Sequence, residues 1–221
     1  MNKVLVIAPH PDDEVLGCGG TMIKHVDAGD EVYVCIATKG MAPIATEQSV
    51  LISRHEAELC HKSIGVKETL FLDFPAVMIE KENRYEVNKK ILDLIMTVNP
   101  DDVYIPHWGD MQRDHQIIAE AAMVALRPKY NNNVKRIYSY ETLSETGWNA
   151  PSVQNEFIPN VFVDISKYLE RKIKSLKFYK SQLAPFPDAR SLGAIEALAK
   201  YRGAVMHMGA AEAFMLIREY K

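Results

Sequence analysis

The chain opens with Val4-Leu5-Val6-Ile7-Ala8-Pro9-His10-Pro11-Asp12-Asp13-Glu14. The first five of these residues form an unbroken apolar run. A run so short and so apolar fits a buried parallel strand better than a helix. Pro9 and Pro11 stop any regular element at once. The strand therefore ends in a stiff turn that carries an imidazole and three carboxylates. In open α/β sheets, ligands collect outside the carboxyl ends of the strands. His10, Asp12 and Asp13 at such a tip read as half of a metal site. An Asp before a helix is also an ordinary cap, so the turn alone leaves the two readings near even.

Working outward, the same pattern returns. Val103-Tyr104-Ile105 reads as a strand, followed by Pro106-His107-Trp108-Gly109-Asp110-Met111-Gln112-Arg113-Asp114-His115 and a helix over about 114–126. Between the two clusters the spacing predicts a helix to about Asp27, a strand over 31–38, a helix over about 46–63, a strand over 69–72 and a helix over 85–98. Beyond them come strands over 136–141 and 160–164, helices over 165–182 and 191–205, and a strand-like segment over 210–218. Strands alternating with helices give a parallel sheet. The expected fold is α/β, Rossmann-like and three-layered, with a mostly parallel sheet. No linker or repeat divides residues 1–221, so one domain is expected.

Composition bounds the function. The 221 residues are 48% hydrophobic and 25% charged, with a formal net charge of −3. That balance gives no argument for nucleic acid or an anionic membrane surface. Glycines at 17, 19 and 20 do not match the G-x-G-x-x-G of dinucleotide sites. Met1-Asn2-Lys3 runs straight into the first strand without a leader, and no apolar stretch is long enough to span a bilayer. Cys18, Cys35 and Cys60 show no paired spacing and read as reduced packing residues. A cytoplasmic protein is expected, in an oligomeric state the sequence leaves open, a homo-oligomer included.

His10 and Asp13 with His115 make a set of two imidazoles and one carboxylate that leaves a position open for water. An ion held there makes water a nucleophile near neutral pH and polarises a carbonyl. The set suits zinc and also iron(II). Asp12 is placed to act as general base, and Asp114 to orient an imidazole. Arg54 on spacing alone is a surface charge. His107 and Asp110 either line the site or structure the turn. Trp108 and Trp148 could stack on a ligand, although a loop Trp is more often a packing residue. His25, His55, His61 and His207 read as structural or exposed.

The HPDDE loop with the later Asp-His pair resembles the LmbE-like (PIG-L) N-deacetylases. The likeness continues through Gly19-Gly20-Thr21, Arg54 with Glu56, Tyr140-Glu141-Thr142, Tyr179, Arg190-Ser191, Arg202-Gly203 and Ala211-Glu212-Ala213-Phe214. The resemblance implies removal of an acetyl group from an N-acetylglucosamine-type sugar or sugar conjugate. It implies His10, Asp13 and His115 as metal ligands, Asp12 as base, Asp114 as the carboxylate behind a catalytic imidazole, and Arg54 as a sugar contact. One position departs: relatives read His-x-Asp-His where this chain has Gln112. The Gln112 amide can donate to an oxyanion but cannot deliver a proton. Either Asp12 then acts as base and acid, or His107 or another group substitutes. Two further readings follow: an amidase for a larger sugar-thiol or antibiotic conjugate, and a metal- or sugar-binding relative with impaired catalysis.

Overall fold

Strand β1 (Lys3–Ala8) is buried from Val4 onward, because it lies in the middle of a sheet covered on both faces. The computed structural model describes residues 1–130 and 133–221. β1 pairs in parallel with β2 (Glu31–Lys39) on one side and β4 (Asp102–Pro106) on the other. β3 (Glu68–Pro75) extends the first side, and β5 (Arg136–Tyr140) the second, both parallel. β7 (Ala211–Glu219) runs antiparallel between β5 and β6 (Val161–Asp164). The order is β3-β2-β1-β4-β5-β7-β6. The sheet is mostly parallel, as the alternation of elements implied, with the reversal confined to β7.

Strand periodicity sorts the core into two layers. Leu5 and Ile7 face Val87, Ile91 and Ile95 of α3 (Arg84–Val98) and Ile117 and Ile118 of α4 (Arg113–Ala125). Val4 and Val6 face Val15 and Met22 of α1 (Asp13–Asp27) and Cys60 and Ile64 of α2 (Glu47–Ile64). Thr46 caps α2 by accepting from the Ser49 N–H, and Gly65 ends it in the left-handed conformation. The chain leaves β1 toward β2 on one side and returns to β4 on the other. The carboxyl ends of β1 and β4 are therefore neighbours at the point where strand order reverses, which is where α/β sheets open a crevice.

The expected helix over 165–182 is a correction. Only α5 (Leu169–Leu176) is helical there, and 178–183 is a series of turns. Those turns let the fully buried Tyr179 hydroxyl donate to Glu14, and let Ser181 donate to Glu56 through its N–H and hydroxyl. A continuous helix would point these groups elsewhere. The last helix, α6 (Leu192–Val205), is capped by Ser191. No helix among the described residues is long and apolar enough to cross a membrane.

A buried ion pair fixes α1 against the sheet. Lys172 of α5 donates to Glu212 of β7 at 2.6 Å and to the Leu16 carbonyl at 2.8 Å. Glu212 accepts the N–H groups of Gly20 and Thr21 at 2.8 and 2.7 Å. The Leu16 carbonyl and the Gly20 N–H ordinarily pair with each other along a helix. The side chains of Lys172 and Glu212 thus enter the ladder of α1. The glycines permit this: a Cβ on Gly20 would stand 2.8 Å from Ile165, and one on Gly17 only 2.3 Å from Tyr140. Removing one partner of such a pair leaves an uncompensated buried charge, at a cost of about 3–5 kcal/mol. Lys172→Met is expected to lose that much in urea unfolding, and a loss below about 1 kcal/mol would refute the structural role given to the pair.

Candidate active site

Two loops at the reversal point bring the distant clusters together. The ligand atoms of His10, Asp13 and His115 all lie within 4.8 Å of one another. Asp13 Oδ2 is 3.1 Å from His10 Nδ1 and 3.2 Å from His115 Nε2. The far nitrogens are each held by a different carboxylate. His10 Nε2 is 3.0 Å from Asp114 Oδ2, and His115 Nδ1 is 2.9 Å from Asp110 Oδ2. Near nitrogens facing one point, with far nitrogens donating to carboxylates, is how proteins hold imidazoles for a metal. The buried Asp13 Oδ1 has no hydrogen-bond partner, and His115 Nε2 has only its ion-pair contact with Asp13 Oδ2. Buried polar atoms normally find one, so the donor set fits a divalent cation.

Asp114 therefore orients the imidazole of the opposite loop, not that of its sequence neighbour. It also accepts the Val77 N–H at 2.7 Å, which ties the turn after β3 to the site. Asp110 holds His115 with one oxygen and accepts from the Thr146 hydroxyl at 2.6 Å with the other. Among the residues left open by the sequence, Asp110 is thus the one placed behind a candidate ligand.

Charge is strongly perturbed here. Burial alone would lower the two imidazoles, but the surrounding carboxylates outweigh it. Hydrogen bonds donated to Asp114 and Asp13 carry His10 up to about 9. The charge of Asp13, with the bonds to Asp110 and Asp13, carries His115 up to about 10. Asp13 itself is held well below the usual carboxylate range: its burial is overcome by the charge of His115 and the hydrogen bond to His10. Asp12 goes the other way, raised first by burial and then by the charge of Asp13, against the opposing pull of Arg190.

Asp12 stands at the N-cap of α1, yet its side chain makes no capping bond. Its Oδ2 lies 3.3 Å from Arg190 Nε, and its buried Oδ1 is unpartnered. Its backbone has φ of 111°, a region L-residues rarely enter. The peptide is held there by the Asp12 N–H donating to Glu14 Oε2 at 3.2 Å. Glu14 in turn accepts from Tyr179 and lies 3.0 Å from His61 Nε2. The third carboxylate of the opening motif thus faces away from the metal point and braces the turn from behind. His61 is structural, as its spacing implied.

Above this point lies a cleft of about 390 Å3 whose walls include His10, Arg54, Gln112, Glu145, Gln182 and Arg190. Arg54 is on this wall, ion-paired with Asp73 and stacked over Phe71 with its guanidinium carbon 4.6 Å from the ring centre. Gln112, at the N-cap of α4, lines the cleft without bonding the helix end. Of the two readings open for His107, lining the site or structuring the turn, its surroundings fit the second. It is absent from the cleft wall and fully buried, 3.1 Å from the Asn155 carbonyl and packed between Trp108 and Phe157. Its role there is to fasten the loop over 149–157. Glu145 and Arg190 reach the cleft from loops without periodicity. Only the Arg190-Ser191 match in the resemblance marked either one.

The sequence profile of GlcNAc-PI de-N-acetylases (PIG-L) matches residues 5–126, more than half of the chain. The chain belongs to the PIG-L family. The diacetylchitobiose deacetylase of Thermococcus kodakarensis is 30% identical over 200 residues, covering 85% of this chain and 72% of that one. Among solved structures, the conserved protein TT1542 from Thermus thermophilus superposes with a TM-score of 0.81 at 25% identity, covering 100% of this chain and 97% of that one. GalB, the 4-carboxy-2-hydroxymuconate hydratase of Pseudomonas putida, shares the fold at a TM-score of 0.78 and 18% identity, over 100% of this chain and 98% of that one.

A positive φ at a residue with a Cβ costs about 1–3 kcal/mol. Glycine relieves that cost but gives back about 0.4–1 kcal/mol through the freer unfolded chain. Metal-free Asp12→Gly protein is therefore expected to be about 1 kcal/mol more stable to urea, and a net loss of stability would show that the turn is not strained.

Proposed function

We propose that this protein is a metal-dependent N-deacetylase acting on the 2-acetamido group of an N-acetylglucosamine-type sugar or sugar conjugate. One observation carries the reading. Two imidazoles, each braced by its own carboxylate, face a single buried carboxylate beside a second carboxylate whose proton affinity is raised. Membership of a family that includes sugar deacetylases supports it.

His10, Asp13 and His115 would hold the ion, zinc or iron(II), and Asp110 and Asp114 fix the imidazole orientations. A divalent cation there supplies a lowered water pKa and a polarised acetyl carbonyl. The chain's own residues do the rest. Asp12 takes a proton from the attacking water at its free Oδ1, and burial raises its proton affinity above that of an ordinary carboxylate. The water oxygen adds to the acetyl carbon, and the Gln112 amide donates to the oxygen that gains charge. As the C–N bond breaks, its electron pair stays on nitrogen, and Asp12 returns the proton there. Amine and acetate leave. Arg54, held by Asp73 and Phe71, binds the sugar. The free, buried cysteines fit a reducing compartment such as the cytoplasm.

The test is acetate release from N-acetylglucosamine and its glycosides. Chelation should abolish it, and zinc or iron(II) should restore it. Asp12→Asn should lower turnover roughly 10²- to 10⁴-fold at unchanged metal content. Gln112→Ala should lower it roughly 10²-fold, and unchanged turnover would remove Gln112 from the mechanism. Metal-loaded protein that releases no acetate from any acetamido sugar would end the proposal.

Proton linkage gives an independent check. Both imidazoles sit above the ordinary value of 6.5 in the metal-free protein, at about 9 and about 10. Their pairing with carboxylates stabilises that form below about 6.5 and is lost as pH rises through 9 to 10. A cation must displace both protons, so affinity should tighten as pH rises from 6 to 9. Calorimetry in buffers of different ionisation enthalpy should count about two protons released per ion at pH 7. Affinity independent of pH would mean that these imidazoles are not the ligands.

A further inference from the structure

The loop that carries His115 is clamped by a turn from the neighbouring strand. β5 ends at Tyr140, whose hydroxyl donates to the Ile7 carbonyl of β1 at 3.0 Å, so the strand's tip is fixed to the centre of the sheet. The chain then turns back. The Glu145 and Thr146 N–H groups both donate to the Thr142 carbonyl, at 2.8 and 2.7 Å. The Glu145 carbonyl accepts the Met111 N–H of the ligand loop at 3.3 Å.

Thr146 completes the clamp with its side chain. Its hydroxyl oxygen accepts the Thr142 N–H at 2.8 Å and lies 2.6 Å from Asp110 Oδ1. A hydroxyl carries one proton and two lone pairs, and a peptide N–H can only donate. One lone pair is therefore taken, and the proton goes to the carboxylate. Asp110 is fully buried, and its Oδ2 is 2.9 Å from His115 Nδ1. With Oδ1 supplied by Thr146, Oδ2 is left to accept from Nδ1–H. The free lone pair of a metal-binding His115 then lies on Nε2, the nitrogen that faces Asp13. Donation runs one way, from the Thr142 N–H through Thr146 and Asp110 to the imidazole. The brace behind His10 is built otherwise: Asp114 Oδ2 serves both His10 and the Val77 N–H, and its buried Oδ1 is unpartnered.

We propose that Thr146 is a positioning residue for the metal: its hydroxyl, acting through Asp110, sets the orientation and tautomer of His115 and so the affinity of the site. The proposal rests on the ligand set of the deacetylase reading and is independent of the reaction. Outer partners of metal-binding imidazoles are ordinarily worth about 10- to 100-fold in affinity. Thr146 stands one link beyond such a partner, so the low end of that range applies.

The test is zinc affinity, measured by competition with a chromogenic chelator at constant pH. Thr146→Val fills the same space without a donor and should bind zinc about tenfold more weakly. Thr146→Ser keeps the hydroxyl and should stay within about twofold of wild type. A double-mutant cycle separates this role from a general loosening of the turn. In an Asp110→Asn background the link is already cut, so Thr146→Val should cost less than about twofold there. Wild-type affinity in Thr146→Val, or a tenfold loss that persists beside Asp110→Asn, would overturn the assignment. If Thr146→Val does not fold, Thr146→Ala removes the same hydroxyl with a smaller side chain and carries the same expectation. Wild-type protein that binds no zinc would overturn the ligand set and this inference with it. Zinc binding that follows the expected pattern without acetate release would end the deacetylase reading alone.

Discussion

The fully buried Asp13 carboxylate places its Oδ2 between two imidazole nitrogens at 3.1 and 3.2 Å. Much of the surrounding structure follows from that contact. A buried carboxylate is costly unless positive charge and hydrogen bonds compensate it. His10 and His115 supply the charge, and the His10 N–H donates to the same oxygen at 2.9 Å. Each imidazole then needs its far nitrogen satisfied, and Asp114 and Asp110 do so. Every added carboxylate deepens the negative field. A divalent cation supplies the same two positive charges as two imidazolium protons, at the point the ligand atoms share.

The scaffold gives up stability to keep this arrangement. Asp12 sits in a backbone conformation that costs energy, and its carboxylate does not cap the helix it begins. The opposing forces lie behind it. Glu14, Tyr179 and His61 grip the turn from the far side of α1, and Lys172 with Glu212 locks α1 to strand β7. Strain at a functional turn persists only where the surroundings over-determine it. The glycines at 17, 19 and 20 are part of that surrounding, since they let an aromatic ring, an isoleucine and a lysine approach α1 closely.

The fold places the cleft without choosing the reaction. A hydratase shares this architecture over the whole chain, and a sugar deacetylase is among the relatives by sequence. Both findings agree with the general rule that function resides in the site and not in the scaffold. In this chain the distinguishing features are the braced imidazole pair, the free carboxylate of Asp12, and an amide at Gln112 where relatives carry an imidazole. Under the proposed reaction, the last feature would leave both halves of the proton transfer to Asp12.

The local pattern of the chain was enough for the strands, the parallel sheet and the two loops that carry the candidate ligands. Short apolar runs and stop signals such as Pro9, Pro11 and Gly65 act over a few residues, so they are legible in order. Arg54 was marked only through a likeness to other sequences. The fate of each polar side chain was a matter of three-dimensional neighbours. Asp114 turned to His10 across 104 residues, and Asp110, not Asp114, took His115. Glu14 turned away from the site, His107 into the packing of a loop, and residues 178–183 out of helix. Glu145 and Arg190 reached the cleft from segments without periodicity. Hydrogen-bond satisfaction in a buried site is a property of the assembled surroundings, and no spacing along the chain encodes which partner a carboxylate will find.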